Sequence, residues 1–266
     1  MTNTTPQNPL FRITGLTHAF GGLMAVSDFN LAMQAGQIRG LIGPNGAGKT
    51  TVFNLITGVY KPDKGSVMLS GKNLAGLPSN VIVSRGISRT FQNIRLFKSM
   101  TVLDNVITAA YCRLDYSLAG ALFRSKQFKR REASIRKTAL ETLDAFGLGD
   151  RADEIAARLP YGLQRKVELA RALVSRPAVL LLDEPGAGMN PSELGDLVDM
   201  ISWVRDTFGV AIALIEHRMQ LVMNLCDRVT VLNFGETIFE GLPADLAKDQ
   251  AVVRAYFGED HDDIGR

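Results

Sequence analysis

Residues 10–36 alternate apolar and polar side chains between breaks at Gly, Asn and Asp. Alternation with a period of two places one set of side chains on a single face of a strand. The apolar set consists of Phe11, Ile13, Leu16, Val26, Phe29, Leu31 and Met33. The pattern therefore predicts antiparallel strands near the N-terminus, each with one buried face.

Beyond residue 36, short apolar runs alternate with helical periods. The runs predict strands at 38–42, 65–69, 87–91, 178–182, 210–215, 228–233 and 236–240. The helical periods predict helices at 50–56, 78–85, 102–111, 132–146, 166–175, 192–208 and 219–225, whereas 112–131 favours neither state. Strands that alternate with helices are typical of a mainly parallel sheet covered on both faces.

The most specific motif of the chain follows the strand at 38–42. Its residues, Gly43-Pro44-Asn45-Gly46-Ala47-Gly48-Lys49-Thr50, match the phosphate-binding pattern G-x-x-x-x-G-K-[ST]. Glycines let successive backbone N–H groups point at phosphate oxygens, and the helix N-terminus adds partial positive charge. We expect Lys49 to reach the β- and γ-phosphates, Thr50 to bind Mg²⁺ and Thr51 to join the nucleotide site. A mere glycine-rich turn would require neither Lys49 nor Thr50.

Two carboxylates, Asp183 and Glu184, follow the apolar run at 178–182. A charge at the end of a buried strand is costly unless it meets a cation. We predict that Asp183 holds Mg²⁺ together with Thr50. Glu184 is then available as a general base, or to orient the water that attacks the γ-phosphate. A strand followed by a polar turn is the simpler alternative.

Composition limits the class of protein. The 266 residues allow one large domain, or a domain with a subdomain, of ordinary globular composition. A net charge of +3 is too small to argue for nucleic-acid binding. Cys112 and Cys226 lack metal-ligand spacing and fit buried apolar positions in a reducing compartment. No apolar run reaches bilayer length and residues 1–9 are polar and uncharged, so we expect a cytoplasmic protein.

The order of the motifs resembles that of an ABC transporter ATP-binding subunit. The phosphate-binding loop is followed by Gln92, by the signature Leu159-Pro160-Tyr161-Gly162-Leu163-Gln164-Arg165, by Asp183-Glu184 and by His217. The signature is a degenerate form of the family's L-S-G-G-Q. The resemblance covers residues 10–258 and implies a RecA-like α/β P-loop NTPase core with an antiparallel β subdomain and an inserted helical subdomain. It also implies ATP hydrolysis with ATP and Mg²⁺.

The resemblance assigns roles to further residues. Phe20 matches the aromatic residue that stacks on adenine, although a core Phe is the alternative. Gln92 matches the glutamine that contacts Mg²⁺ or the attacking water, beside the transmembrane contact. His217 matches the histidine that contacts the γ-phosphate and helps to hold the water. The signature residues implied to bind a nucleotide held by another subunit are Tyr161, Gly162 and Gln164.

Two departures from the family pattern matter. Pro160 replaces a Ser and offers neither a hydroxyl nor an N–H, so we expect a heterodimer with a related ATPase whose signature is closer to L-S-G-G-Q. A second copy of this chain is the alternative partner. Asn190 replaces an Asp, but Asn190-Pro191-Ser192-Glu193 also predicts a capping box. The cap alone accounts for Asn190, and its role across a dimer stays open.

Both departures resemble the subgroup that energises branched-chain amino acid importers. That resemblance rests on L-P-Y-G-x-Q-R, D-E-P-x-A-G-x-N-P, E-H-R-M and a terminal A-Y-F-G-E. It implies two permease subunits, indirect work with an extracytoplasmic solute-binding protein, no nucleic acid, and a peripheral place on the cytoplasmic face of the inner (plasma) membrane. Amides, urea or other amino acids remain alternative solutes.

The resemblance also implies a layout within a single ABC ATPase domain at 10–258. Residues 10–92 and 175–242 form the core with its β subdomain, 93–174 the helical subdomain, and 243–266 a C-terminal helix and tail. The helical subdomain contains a basic segment with Arg124, Lys126, Lys129, Arg130, Arg131, Arg136 and Lys137. This segment is either a solvated helix face or a contact for anionic lipid or a permease loop.

The alternative class is a non-transport ABC ATPase that acts in DNA maintenance or translation. DNA-maintenance members usually carry long coiled coils or zinc cysteines between the motifs, and translation members carry two tandem ATPase domains. The sequence shows neither feature. A P-loop GTPase is a weaker interpretation, because the sequence has no Asn-Lys-x-Asp guanine motif.

Overall fold

A computed structural model describes residues 8–113 and 126–257. It divides into two compact units. Unit 1 consists of the chain up to Ile82 and from Leu181 onward, and unit 2 consists of Val83–Leu180. The predicted layout put the helical subdomain at 93–174, which lies inside unit 2. Among the described residues, no helix combines the length and the apolarity needed to cross a bilayer.

An antiparallel sheet forms the first part of unit 1. Its strands are β1 (Phe11–Phe20), β2 (Leu23–Met33), β4 (Lys64–Leu69) and β5 (Lys72–Asn73), in the order β2-β1-β4-β5. Phe11 pairs with Met33 on one side and Leu69 on the other. The alternating apolar residues of β1 and β2 are buried on one face, as their period of two predicted.

The second sheet of unit 1 is mainly parallel. It contains β3 (Ile38–Ile42), β7 (Val179–Asp183, whose first two residues belong to unit 2), β8 (Ala211–Ile215), β9 (Arg228–Asn233) and β10 (Glu236–Gly241). These five strands follow the order β10-β9-β3-β8-β7. Strand β3 pairs in parallel with β8 and β9, and β10 is antiparallel to β9. Residues 38–42, 179–183 and 211–215 are buried throughout, as expected for strands covered on both faces.

Helices complete unit 1 around this sheet. They are α1 (Lys49–Ile56), α2 (Ser79–Ser84, which continues two residues past the unit boundary), α6 (Pro191–Phe208), α7 (Met219–Leu225), a 3₁₀ segment (Pro243–Lys248) and α8 (Gln250–Phe257). The phosphate-binding loop follows β3, and Glu184 and His217, both predicted for catalysis, follow β7 and β8, all strands of the parallel sheet. Their residues therefore meet at the carboxyl edge of the sheet, where α/β proteins place their sites.

Unit 2 is mainly helical. It contains β6 (Ile87–Arg89), α3 (Val102–Ala110), α4 (Lys126–Ala145) and α5 (Tyr161–Leu173), with 3₁₀ turns at Tyr111–Arg113, Gly149–Arg151 and Ala156–Arg158. The apolar face predicted for α4 is buried: Ile135, Ala139 and Leu143 lie in the core together with Val106 and Val167.

Three elements differ from prediction by two or more residues at an end. Helix α5 begins at Tyr161, not at 166, because Pro160 has an extended ψ of 149° and acts as its N-cap. Helix α4 includes Lys126, within the stretch that favoured neither state, because its first described turns are rich in helix formers but poor in apolar residues. Strand β6 stops at Arg89, and Phe91 instead lies near the Arg89 and Arg95 guanidiniums, 5.0 and 4.0 Å from its ring centre.

The basic segment lies largely on one helix. Its exposed cations along α4 are Lys126, Lys129, Arg130, Arg136 and Lys137. Arg131 is half-buried, and Arg124 lies outside the described residues. Lys137 lies 3.8 Å from Glu141, and both side chains are exposed. Exposed pairs of this kind contribute little to stability, so whether the segment contacts a partner stays a prediction.

Candidate nucleotide-binding and hydrolysis site

The phosphate-binding loop has a backbone that only glycine accommodates at two points. Gly43 has φ 150°, and a Cβ there would lie 2.1 Å from the Leu232 carbonyl oxygen. Gly48, the N-cap of α1, has φ 102°, and its Cβ would lie 2.4 Å from the Ala25 carbonyl oxygen. The loop therefore packs against neighbouring backbone on one side, and it enters α1 with the helix N-terminus at the site.

Lys49, the first residue of α1, is only 7% exposed. Its Nζ donates hydrogen bonds to the carbonyl oxygens of Gly43 at 2.6 Å and Pro44 at 2.7 Å. Burial lowers the pKa of Lys49, and the negative charges of Glu184 and Asp183 act in the opposite direction. The structure thus brings the predicted lysine and the two predicted carboxylates into one electrostatic cluster.

The end of β7 presents the two carboxylates in different settings. Asp183 is buried, whereas Glu184 is partly exposed. The Glu184 N–H donates to the Ile215 carbonyl oxygen at 3.0 Å, so the ends of β7 and β8 lie side by side. Glu184 has φ 46°, an unfavourable conformation for a residue with a side chain, and such strain clusters at functional sites.

His217 follows β8 at the same edge of the sheet. Its Nδ1 lies 3.9 Å from Glu184 Oε2, and its side chain is about half exposed. The two residues are 33 positions apart in the sequence, and adjacent strand ends bring them together. An imidazole beside a carboxylate can hold a water or a phosphate oxygen between them.

The sequence interpretation assigned no role to Glu216, whose carboxylate is fully buried. Its Oε1 accepts a hydrogen bond from the Gly186 N–H at 2.7 Å, and its Oε2 accepts from the N–H groups of His217 at 3.1 Å and Arg218 at 3.3 Å. The available signal was a charged residue directly after the wholly apolar strand β8. Such a position demands hydrogen-bond partners.

Phe20, the predicted adenine residue, belongs to an aromatic cluster. Its ring is 44% exposed and makes edge contacts with His18 at 4.7 Å and Tyr60 at 5.1 Å between ring centres. His18 Nδ1 lies 3.3 Å from Asp63 Oδ2, and its ring stacks on Tyr60. Phe20 is therefore not a core residue, and an exposed ring held from two sides fits the stacking role.

The donor set at this edge fits Mg²⁺. Thr50 is exposed at the start of α1, and the Asp183 carboxylate acts electrostatically on the adjacent Lys49. Hard oxygen ligands of this kind suit Mg²⁺, which uses few protein ligands and completes its shell with water and phosphate oxygens. Within 8–113 and 126–257, no group of three or more His, Cys, Asp and Glu could hold a metal.

The remaining predicted residues lie in unit 2. Gln92 is exposed beyond β6. The signature forms the start of α5, where Gln164 Nε2 donates to the Leu159 carbonyl oxygen at 2.8 Å and Arg165 Nη2 donates to the Tyr161 hydroxyl at 3.0 Å. A Cβ on Gly162 would meet no atom within 4 Å, so this glycine leaves open space at a helix N-terminus.

The fold and the site of unit 1 together define a P-loop nucleoside triphosphatase. Comparison with known proteins narrows this class. The family model described as ABC transporter matches residues 26–187. The high-affinity branched-chain amino acid transport ATP-binding protein BraF of Pseudomonas aeruginosa is 42% identical over 251 residues, which cover 94% of this chain and 98% of BraF. LivG of Escherichia coli K12, whose name is otherwise the same, is 43% identical with the same coverage.

More distant comparisons agree. The lipopolysaccharide export system ATP-binding protein LptB of Escherichia coli K12 is 32% identical over 92% of this chain and 95% of LptB. The crystal structure of MJ1267, an ATP-binding cassette of an ABC transporter in its ADP conformation, has a TM-score of 0.81 and 31% identity. The matched region covers 95% of this chain and 100% of the MJ1267 chain. This chain belongs to the ABC transporter family. It is an ATPase that uses ATP and Mg²⁺, which confirms the predicted fold class and cofactors.

Proposed function

We propose that this chain is the ATP-hydrolysing subunit of an importer for branched-chain amino acids or related small polar solutes. The observation that carries the proposal is the identity of 42% and 43%, over 94% of the chain, to two ATP-binding proteins named for that transport. In this proposal the chain works with two permease subunits on the cytoplasmic face of the membrane. An extracytoplasmic solute-binding protein delivers the solute.

Each residue of the unit 1 site has a role in the proposed reaction. The N–H groups of the phosphate-binding loop and Lys49 hold the β- and γ-phosphates, and Phe20 stacks on the adenine. Thr50 and Asp183 hold Mg²⁺, which neutralises charge that develops on the phosphate oxygens. Glu184 accepts a proton from the attacking water or orients it, and His217 holds the water or the γ-phosphate from the other side.

The second half of each site comes from another subunit in this proposal. The signature at the start of α5 offers backbone N–H groups of a helix N-terminus, which bind anions without a serine hydroxyl. Open space beside Gly162 leaves room for a phosphate. Because Pro160 cannot contribute a hydroxyl, the partner is proposed to be a related ATPase with a more regular signature, so that the two sites are unequal.

The second candidate function is to energise an exporter instead of an importer, since LptB is named for export. Its lower identity of 32% makes import the better supported direction. The alternative in DNA maintenance or translation gains no support from the relatives described above, which are named for transport.

Purification from detergent-solubilised membranes tests the proposal. The native complex is recovered through a tag on this chain, and its components are identified by mass spectrometry. Two permease subunits and a second ATPase are expected, and leucine with its binding protein should stimulate ATP hydrolysis after reconstitution into vesicles. Recovery of ribosomes or DNA without any membrane protein would refute the transport role, and stimulation by amides or urea alone would replace the solute.

A further inference from the structure

Glu216 is a buried carboxylate to which none of the roles above is assigned. It has no exposed surface, although it directly follows β8 at the edge where the site lies. Both of its oxygens are used: Oε1 accepts from Gly186 and Oε2 from His217 and Arg218, at 2.7 to 3.3 Å. A carboxylate is removed from water at such a position only with hydrogen bonds of this number and quality.

These bonds join the two segments that carry the catalytic side chains. Gly186 lies two residues after Glu184, and the other two donors are His217 itself and its neighbour Arg218. A second tie, which is a hydrogen bond between the same two segments, is donated by Arg218 Nη1 to the Met189 carbonyl oxygen at 2.6 Å. The segment after Glu184 is therefore fixed to the His217 segment at two points, both within unit 1.

The packing around this contact is tight at Gly186. A Cβ on Gly186 would lie 2.9 Å from Glu216 Oε1, 3.1 Å from Leu194 Cδ2 and 3.3 Å from Leu221 Cδ1. The strained φ of 46° at Glu184 must be held by such surrounding contacts, since a relaxed backbone would redirect its side chain.

We propose that Glu216 is a positioning residue that sets the separation between the Glu184 carboxylate and the His217 imidazole. The inference rests on the proposed roles of Glu184 and His217 in hydrolysis. Glu216 touches neither substrate nor metal in this scheme. It acts through the backbone N–H groups on which the two side chains are mounted, so a change at Glu216 alters the chemical step and leaves nucleotide binding by the phosphate-binding loop in place.

The test compares single substitutions in the purified native complex. Glu216→Gln keeps the shape but turns one acceptor into an NH₂ group that faces an N–H donor, and Gly186→Ala forces the same contact apart from the other side. Arg218→Ala removes only the second tie. Glu184→Gln defines how much of the measured ATPase rate depends on this chain's own carboxylate. The exposed Glu236→Gln on β10 is the charge-matched control.

For each variant, kcat, the KM for MgATP and the unfolding temperature are measured. Glu216→Gln and Gly186→Ala are expected to lower the Glu184-dependent part of kcat about 10- to 100-fold, as loss of a charge-assisted hydrogen bond at a reacting pair implies. The KM is expected to stay within about threefold of the wild type, because the phosphate contacts are unchanged. Arg218→Ala should show a smaller loss of kcat, and Glu236→Gln none.

Two results would overturn the inference while leaving the proposed function intact. One is a folded Glu216→Gln variant with wild-type kcat. The other is a parallel loss of ATP binding and unfolding temperature that accounts for the whole loss of rate, as a purely structural role requires. If Glu216→Gln does not fold, full kcat in a folded Gly186→Ala variant decides against the inference. If Glu184→Gln leaves the ATPase rate of the complex unchanged, that result refutes the assigned role of Glu184 instead.

Discussion

At the scale of single residues, Lys49 shows how a common side chain becomes specific to one task. Its ammonium is buried, held by two carbonyl oxygens of the loop and faced by two carboxylates. An ammonium on an exposed strand would instead be solvated by water and would not be held in a fixed position. The difference lies in the loop, whose glycines let the backbone approach the ammonium closely.

Replacement of Lys49 by alanine is expected to raise the Kd for MgATP by about tenfold or more and to abolish transport, because the triphosphate loses its direct cation. Calorimetric titration with ATP measures the affinity. The matched control is Lys64→Ala on the exposed face of β4, which should bind ATP like the wild type. Unchanged ATP affinity and turnover in the Lys49 variant would remove this residue from the site.

Glu184→Gln is expected to retain ATP binding and lose most hydrolysis. The amide has the shape of the carboxylate but cannot accept a proton from water, and losses of about 10²-fold or more are typical for a general base. Phosphate release in the assembled complex is the measurement, with Glu236→Gln again as the control. Near-normal turnover would show that another group performs this role.

The two cysteines should differ in reactivity. Burial, reinforced by the negative charges of Asp227 and Glu216, raises the pKa of Cys226 to about 12, so its thiol stays protonated at pH 8.5. Cys112 is partly exposed, contrary to the expectation that both are buried. A thiol reagent should label Cys112 in the native protein and Cys226 only after denaturation. Rapid native labelling of a Cys112→Ser variant would contradict this.

At the scale of single elements, the start of α6 confirms the predicted capping box. Asn190 Oδ1 accepts from the Glu193 N–H at 3.0 Å, and Glu193 Oε2 accepts from the Asn190 N–H at 2.8 Å. The two side chains thereby satisfy backbone donors that a helix leaves without intrahelical partners. The element itself explains Asn190, whatever happens across a dimer.

Asn190→Ala is therefore expected to lower the free energy of unfolding by about 1 kcal/mol, whereas Asn190→Asp should have little effect, since Asp caps equally well. Urea denaturation of the full chain measures both. Asn224→Ala, which removes a bond to the Gln220 carbonyl oxygen at the end of α7, is the control for loss of an exposed amide. An Asn190→Ala variant with the wild-type free energy of unfolding would mean that the cap contributes nothing to stability.

Helix α5 shows where sequence patterns mislead at this scale. Tyr161 and Gly162 are poor helix formers, so the pattern placed the helix start five residues too late. Local contacts offset that propensity, because Pro160 acts as the N-cap and the Tyr161 hydroxyl accepts a hydrogen bond from Arg165 one turn later. The signature consequently includes the first turn of a helix and is not only a loop ahead of it.

At the scale of the whole molecule, each unit carries residues for a different half of the proposed composite sites, which two subunits complete. Unit 1 holds the phosphate-binding loop and the proposed catalytic carboxylate, and unit 2 holds the signature. A Cβ at Gly162 would meet nothing within its own chain, so a side chain there should not disturb the fold. Its effect would fall on whatever the signature contacts in the assembly.

Gly162→Asp is expected to block ATP hydrolysis in the assembled complex, because a negative side chain would meet the phosphates of the partner's nucleotide. Pro160→Ser should be tolerated. The control is Gly195→Asp on α6, where the space around the glycine is also open. Full activity of Gly162→Asp would refute the signature assignment. A native complex that contains this ATPase alone would refute the heterodimer.

The sequence by itself determined the features that depend on local chemistry. The phosphate-binding loop, the paired carboxylates and the capping box are recognised because each needs particular residue types at a fixed spacing. The alternating strands of unit 1 and the buried strands of its parallel sheet follow from apolar periodicity in the same way.

Only the tertiary structure decided the features that depend on contacts between distant segments. Glu216 gained its partners because β7 and β8 end side by side, and no spacing rule links residue 216 to Gly186. The aromatic support of Phe20 by Tyr60 likewise depends on the packing of β1 against a later turn. Hydrogen bonds and ring contacts act over a few ångströms, so they become visible only when the fold has brought such residues together.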